Sequence, residues 1–168
     1  MNISWGKVTM KYRLYSASAY TSESAWSELT VPVEGSTTLN ITEGDTKEAK
    51  QEGGAVVDSV TGDNTYELVF RLFVKKSDST AYPIEALNGR VTSEYAFRLI
   101  PEDSNCYALE VPRASVRVLE QFSSDEGITL EYHAKAILDD AAADASGASG
   151  NVIGHYHDGK LIQIKKIS

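Results

Sequence analysis

His155-Tyr156-His157 is the most metal-like pattern in the chain. Two imidazoles two residues apart on a strand point the same way, and Asp158 or His133 could complete a zinc-type ligand set. Nothing in the sequence brings His133 to the pair, and no further ligand accompanies it. The reading kept is a polar patch beside a loop. His133 falls in the row Thr129, Glu131, His133, Lys135, which alternation places on the solvated face of a strand. A catalytic histidine needs a nucleophile and an orienting acid beside it. Serines are plentiful, but no G-x-S-x-G elbow is present to expose one. The carboxylate pairs Glu43/Asp45, Asp125/Glu126 and Asp139/Asp140 fall in turn or loop segments, where solvated charge is the better reading than acid–base work. Neither glycine-rich phosphate signature occurs. No catalytic residue, cofactor site or metal site is therefore assigned, and the chain is expected not to be an enzyme.

Composition narrows the remaining classes. The 168 residues suit one domain spanning 1–168, long enough to bury a hydrophobic core. Apolar residues make up 42% of the chain, an ordinary globular share. The net charge is −8 and the pI about 4.9. That balance argues against a surface that grips phosphate backbones, which needs clustered Lys and Arg, but not against a surface that DNA merely passes. The single cysteine, Cys106, cannot form an internal disulfide. The start, MNISWGKVTMKYRLY, has no apolar signal block, and no run approaches the roughly 18 apolar residues of a membrane span. The chain is expected to be made in a cytoplasm, with no membrane anchoring.

The elements that would carry any site are strands. Val8, Met10, Tyr12 and Leu14 alternate with polar residues, as do Tyr66, Leu68, Phe70, Leu72 and Val74. Tyr95, Phe97 and Leu99 repeat the pattern, then Ala114, Val116 and Val118. The longest alternation runs through Ile128, Leu130, Tyr132, Ala134, Ala136 and Leu138, after a turn at Ser123–Gly127. Pro83, Ile84 and Leu87 suggest one short helix at about 80–89, ended by Asn88-Gly89. The Ala/Ser/Gly stretch at about 139–151 reads as a flexible loop. The expected class is mainly β: an antiparallel barrel or sandwich with one short flanking α-helix and a long projecting hairpin or loop.

That projection is the most telling segment. Glu34–Lys76 is too polar in its first half to be buried in a monomer, yet runs directly into the most apolar strand. The loop is placed at about 43–57, with Glu43, Asp45, Lys47, Glu48, Lys50 and Glu52 followed by Gly53-Gly54. Charges of both signs suit specific contact with a neighbour, although charge runs are often just solvated.

The order of these segments resembles a known family. A strand at Thr37–Thr42 precedes an acidic extension ending QEGGAVVDS (Gln51–Ser59) and the strand YELVFRLFV (Tyr66–Val74). YAFRLIPE (Tyr95–Glu102), RASVRVLEQFSSDEG (Arg113–Gly127) and a long last strand follow. The pattern is similar to phage tail tube (major tail) proteins of the sort carried by prophages of gut Bacteroidetes, a family related to type VI secretion and contractile-injection tubes. The likeness covers roughly residues 30 to 140, by element order rather than by a diagnostic motif.

The resemblance implies a structural virion or prophage protein. Its hexameric rings would stack into a hollow tail tube, alongside other tail proteins, through which DNA passes without specific binding. Its place would be the virion tail, after synthesis in the bacterial host cytoplasm. It further implies that Glu43, Asp45, Lys47, Glu48, Lys50, Glu52, Gly53 and Gly54 form a subunit or ring interface. A ring of about six subunits would carry about −48 before counterions. The alternative is a stand-alone β-sandwich that recognises carbohydrate or a protein partner, with Tyr15, Tyr20 and Trp26 as an aromatic platform.

Overall fold

Alternating apolar residues build one long antiparallel sheet. The computed structural model describes residues 7–15, 26–74, 84, 86–103, 106, 108–137, 154–157 and 160–162 of the chain. Its strands are β1 (Thr9–Leu14), β2 (Ser27–Glu28), β3 (Thr38–Thr42), β4 (Thr46–Lys50), β5 (Val56–Thr61) and β6 (Thr65–Phe73). They continue as β7 (Arg90–Ile100), β8 (Ala108–Ser123), β9 (Gly127–Ala136), β10 (Gly154–His157) and β11 (Lys160–Ile162). The main sheet runs β2-β1-β7-β8-β9-β6-β3, and β4 with β5 forms a separate two-stranded sheet. The mainly β, antiparallel expectation is met.

The barrel expectation needs correction, because the hydrogen-bonded path has two ends, β2 and β3, that do not pair. The sheet is nonetheless strongly coiled. Phe70 on β6 and Phe97 on β7 lie three strands apart, about 14 Å along a flat sheet, yet their ring centroids are 5.7 Å apart. Phe70 also stacks on its cross-strand neighbour Tyr132 at 5.0 Å. Met10, Leu68, Val111 and Val116 complete this buried centre. The gap between the edges is spanned by a strap of chain rather than by ladder bonds. Leu29 N–H donates to the Met10 carbonyl on β1, and Val33 N–H to the Arg71 carbonyl on β6. Four residues reach at most about 14 Å, so the two edges come close together.

Two local features differ from the sequence reading. No helix occurs among the described residues. At 80–89, residues 80–83 and 85 lie outside them. Leu87 and Arg90 form a two-residue hairpin bridge. Asn88 (φ 50°) and Gly89 (φ 77°) form the turn itself, both left-handed as a type I′ turn requires. Asn-Gly is a strong hairpin signal, and here it outweighs the Ile84/Leu87 spacing. Secondly, β8 begins five residues before the Arg113 expected from alternation. Pro112 sits in its interior, where the pairing with β7 shifts register, so the bulge absorbs the residue that cannot donate. The expected loop at about 139–151 lies outside the described residues.

Candidate functional site

The projecting segment forms a β-hairpin arm. β3 leads through Glu43-Gly44-Asp45 into β4, and β5 returns through Gly62-Asp63-Asn64 into β6. The two legs cross closely at this foot. A Cβ on Gly44 would run into the Gly62 carbonyl, so only glycine lets the backbones pass. Gly62 N–H donates to the Asp45 carbonyl at 2.8 Å, and Gly44 N–H to Asn64 Oδ1 at 3.1 Å. At the tip, Gln51 to Ala55 closes a turn in which Gly53 and Gly54 take φ of 97° and 83°.

Every residue of β4 and β5 is exposed, so the arm does not lie back on the body. An isolated two-stranded hairpin is marginal in water, and uncovered valines make it more so. Val56, Val57 and Val60 are 50%, 60% and 64% exposed. Register and alternation sort the side chains. Lys47 and Ala49 share a face with Val60 and Asp58, while Thr46, Glu48 and Lys50 share the other with Thr61 and Ser59. A bulge between Ala49 and Lys50 sets Val56 opposite Lys50. Alternation from Ser59 places Val57 on that same face. The tip therefore shows two valines beside the Glu48–Lys50 pair, whose charged atoms are 3.6 Å apart.

The residues expected at an interface all fall on this arm, spread along it. Glu43 and Asp45 are in the foot, Lys47, Glu48 and Lys50 on β4, and Glu52, Gly53 and Gly54 at the tip. The loop placed at about 43–57 extends as a hairpin to Asn64. Charge drew attention to β4, while the apolar surface on β5 went unread. Its signal was Val56-Val57 within an otherwise polar stretch.

The histidines do not converge. His155 pairs with Leu109 and His133 with Arg117 on the same strand β8. Eight residues at strand rise separate them by roughly 26 Å, too far for one metal ion. The side chains of His155 and His157 lie outside the described structure, as does Asp158. Among the described residues, no group of three or more His, Cys, Asp or Glu could hold a metal ion. His133 lies on the outer face, as alternation predicts, but it is not free in solvent. Its Nδ1 is 2.7 Å from Glu67 Oε1 on β6, and its Nε2 is 2.6 Å from Glu131 Oε1. Burial works against the imidazolium, but the hydrogen bonds and charges of Glu67 and Glu131 outweigh it and raise the pKa above the ordinary value. With a carboxylate on each nitrogen, neither is open to act as a base.

Beside it, Asn40, Thr42, Glu67, Ser115, Arg117 and Lys135 line an open polar groove of about 460 Å³ at the foot of the arm. The aromatic platform is partly engaged elsewhere. Trp26 lies over the guanidiniums of Arg13 and Arg98, at 4.9 and 4.3 Å, and Tyr15 under that of Arg113 at 5.1 Å. Tyr20 lies outside the described residues. The Arg98–Glu110 pair is buried on this outer face, with Nε to Oε2 at 3.0 Å.

Compared with known proteins, the sequence matches no family model and no curated protein.

Proposed function

We propose that the chain is a structural subunit that assembles with copies of itself, in the manner of a phage tail tube protein. Hexameric rings would stack into a hollow tube through which DNA passes without specific binding, with the arm as the contact between subunits. The observation that supports this most is the β4–β5 arm, a hairpin exposed on both faces with three uncovered valines. Such an element gains nothing as part of a monomer and is stabilised once a neighbour covers it. The coiled sheet adds to the case, since among the described residues β3 ends the sheet as an edge that a neighbouring strand could extend. The net charge of −8 suits a lumen that repels phosphates.

Negative-stain electron microscopy across a protein concentration series tests the proposal. Rings or hollow tubes that appear with concentration are the expected result. A monomer at every concentration contradicts it. The second reading, a stand-alone module for a carbohydrate or protein partner, draws on the polar groove beside His133. A monomer that binds glycans there would favour it.

A further inference from the structure

We infer that the polar groove beside His133 binds a short saccharide that carries a carboxylate. This rests on the second reading above, to which it gives a ligand class, and it does not require self-assembly, because the strands of one subunit build the whole site. Register places its residues on one face. Asn40, Glu67, Lys135 and Ser115 form a single row across β3, β6, β9 and β8. In the next row Arg117 stands opposite His133, and Arg90 on β7 stands opposite Arg117. Arg117 and Lys135 are therefore diagonal neighbours, within reach of one ligand group. The first row, Arg117, His133 and Thr42 line the open groove of about 460 Å³, a size within the span of about 300–1,000 Å³ usual for small-molecule sites.

Charge selects the ligand. The chain has 24 acidic residues against 16 Lys and Arg. Arg71, Arg98 and Arg113 each meet a carboxylate, of Glu126, Glu110 and Glu94, at 2.7, 3.0 and 2.7 Å. Among the described residues, Arg90, Arg117 and Lys135 meet none. The acids that could pair with them are diverted. Glu67 lies directly opposite Lys135, yet its Oε1 is 2.7 Å from His133 Nδ1. Glu131 meets His133 Nε2 through Oε1 and accepts from Gln121 Nε2 through Oε2. Like charges directly opposite, as Arg90 and Arg117 are, destabilise a sheet, and an anion seated beside them offsets that repulsion. The planar fork of Arg117 matches a carboxylate, and Lys135 adds a point charge. Asn40, Thr42 and Ser115 supply donors and acceptors for ring hydroxyls. Glu67 and Glu131 beside the cations, with the net charge of −8, disfavour a long phosphate chain and leave a ligand with a single anionic group.

Ligand-observed saturation-transfer NMR tests this, since it reads binding to monomeric and assembled protein alike. The probes are glucuronate and glucose, which differ by one carboxylate, with inorganic phosphate as competitor. Glucuronate is expected to bind at least about tenfold more tightly than glucose, the scale of one charge-assisted hydrogen bond. Arg117→Gln and Lys135→Gln should each weaken glucuronate by about tenfold. Lys7→Gln removes the same charge from an exposed position outside the groove and should change nothing. Arg117 and Lys135 are exposed, and urea midpoints check that their variants keep the fold. Glucose that binds as tightly as glucuronate overturns the carboxylate assignment, as does an Arg117→Gln variant that binds like wild type. Phosphate that displaces glucuronate at equal concentration overturns the saccharide and leaves a simple anion site. No binding of either sugar overturns the proposal and leaves the assembly reading standing, because electron microscopy scores that reading separately.

Discussion

Deletion of Thr46–Thr61, joining Asp45 to Gly62, separates the arm's role from that of the body. The join is geometrically mild, because the Asp45 carbonyl already accepts a hydrogen bond from Gly62 N–H at 2.8 Å. The deleted strands are exposed along their whole length, so the body loses almost no buried apolar surface. The β3–β6 connection shortens from about 22 residues to about six, which lowers its closure entropy by about 1 kcal/mol. The folded body should therefore keep its stability or gain about 1 kcal/mol, visible as an unchanged or slightly higher urea midpoint. Assembly, followed by sedimentation and electron microscopy, should vanish. A loss of more than about 2 kcal/mol would mean that the arm belongs to the body's core, well outside the loop-entropy scale. Unimpaired assembly would mean that the arm is not the contact.

Other perturbations report on the body. Phe70→Ala removes a fully buried ring stacked on Tyr132, and should cost about 3–5 kcal/mol with a Tm drop of roughly 10 °C; a near-neutral result would refute the coiled-core geometry. Glu110→Ala leaves the Arg98 charge buried without its carboxylate and should cost about 3–5 kcal/mol in urea unfolding. The double variant Arg98→Met/Glu110→Leu should recover most of that loss. His133 has a raised folded pKa, so its contribution is complete below the unfolded value of 6.5 and fades as pH rises through the folded one. Urea midpoints of wild type and His133→Gln should therefore differ most at mildly acidic pH and converge at alkaline pH, and a constant difference would argue against the charged bridge.

Much of the body was legible because its strands obey a two-residue period. Leu68, Phe70 and Leu72 face inward as alternation predicts, and the turn before Gly127 is where the polar cluster places it. What escaped notice depends on neighbours distant in sequence. Arg13 and Arg98 lie on faces that alternation assigns to solvent, yet both are buried, because Trp26 comes to lie over them. His133 reads as an exposed residue until β6 brings Glu67 beside it. Pro112 obscured the first part of β8, since a proline argues against an interior strand unless a bulge receives it. At the candidate site, the charged residues of β4 were visible in the sequence. The valines of β5 were not, because their importance lies in what fails to cover them.

The arm's design bears on why contact through it would be specific. Among the described residues its two strands pair only with each other, which leaves each with an outer edge that would ordinarily invite indiscriminate strand addition. Lys47 and Lys50 charge β4, and the bulge at Ala49/Lys50 breaks the regular spacing of its ladder. Both features discourage growth through main-chain hydrogen bonds. Side chains are then left to direct recognition. The tip offers two valines framed by one acid and one base, a small pattern that a matching groove can distinguish. A body with excess negative charge adds repulsion between misaligned copies. The same features that discourage aggregation of the free arm would thus restrict it to a partner that matches its charges and covers its valines.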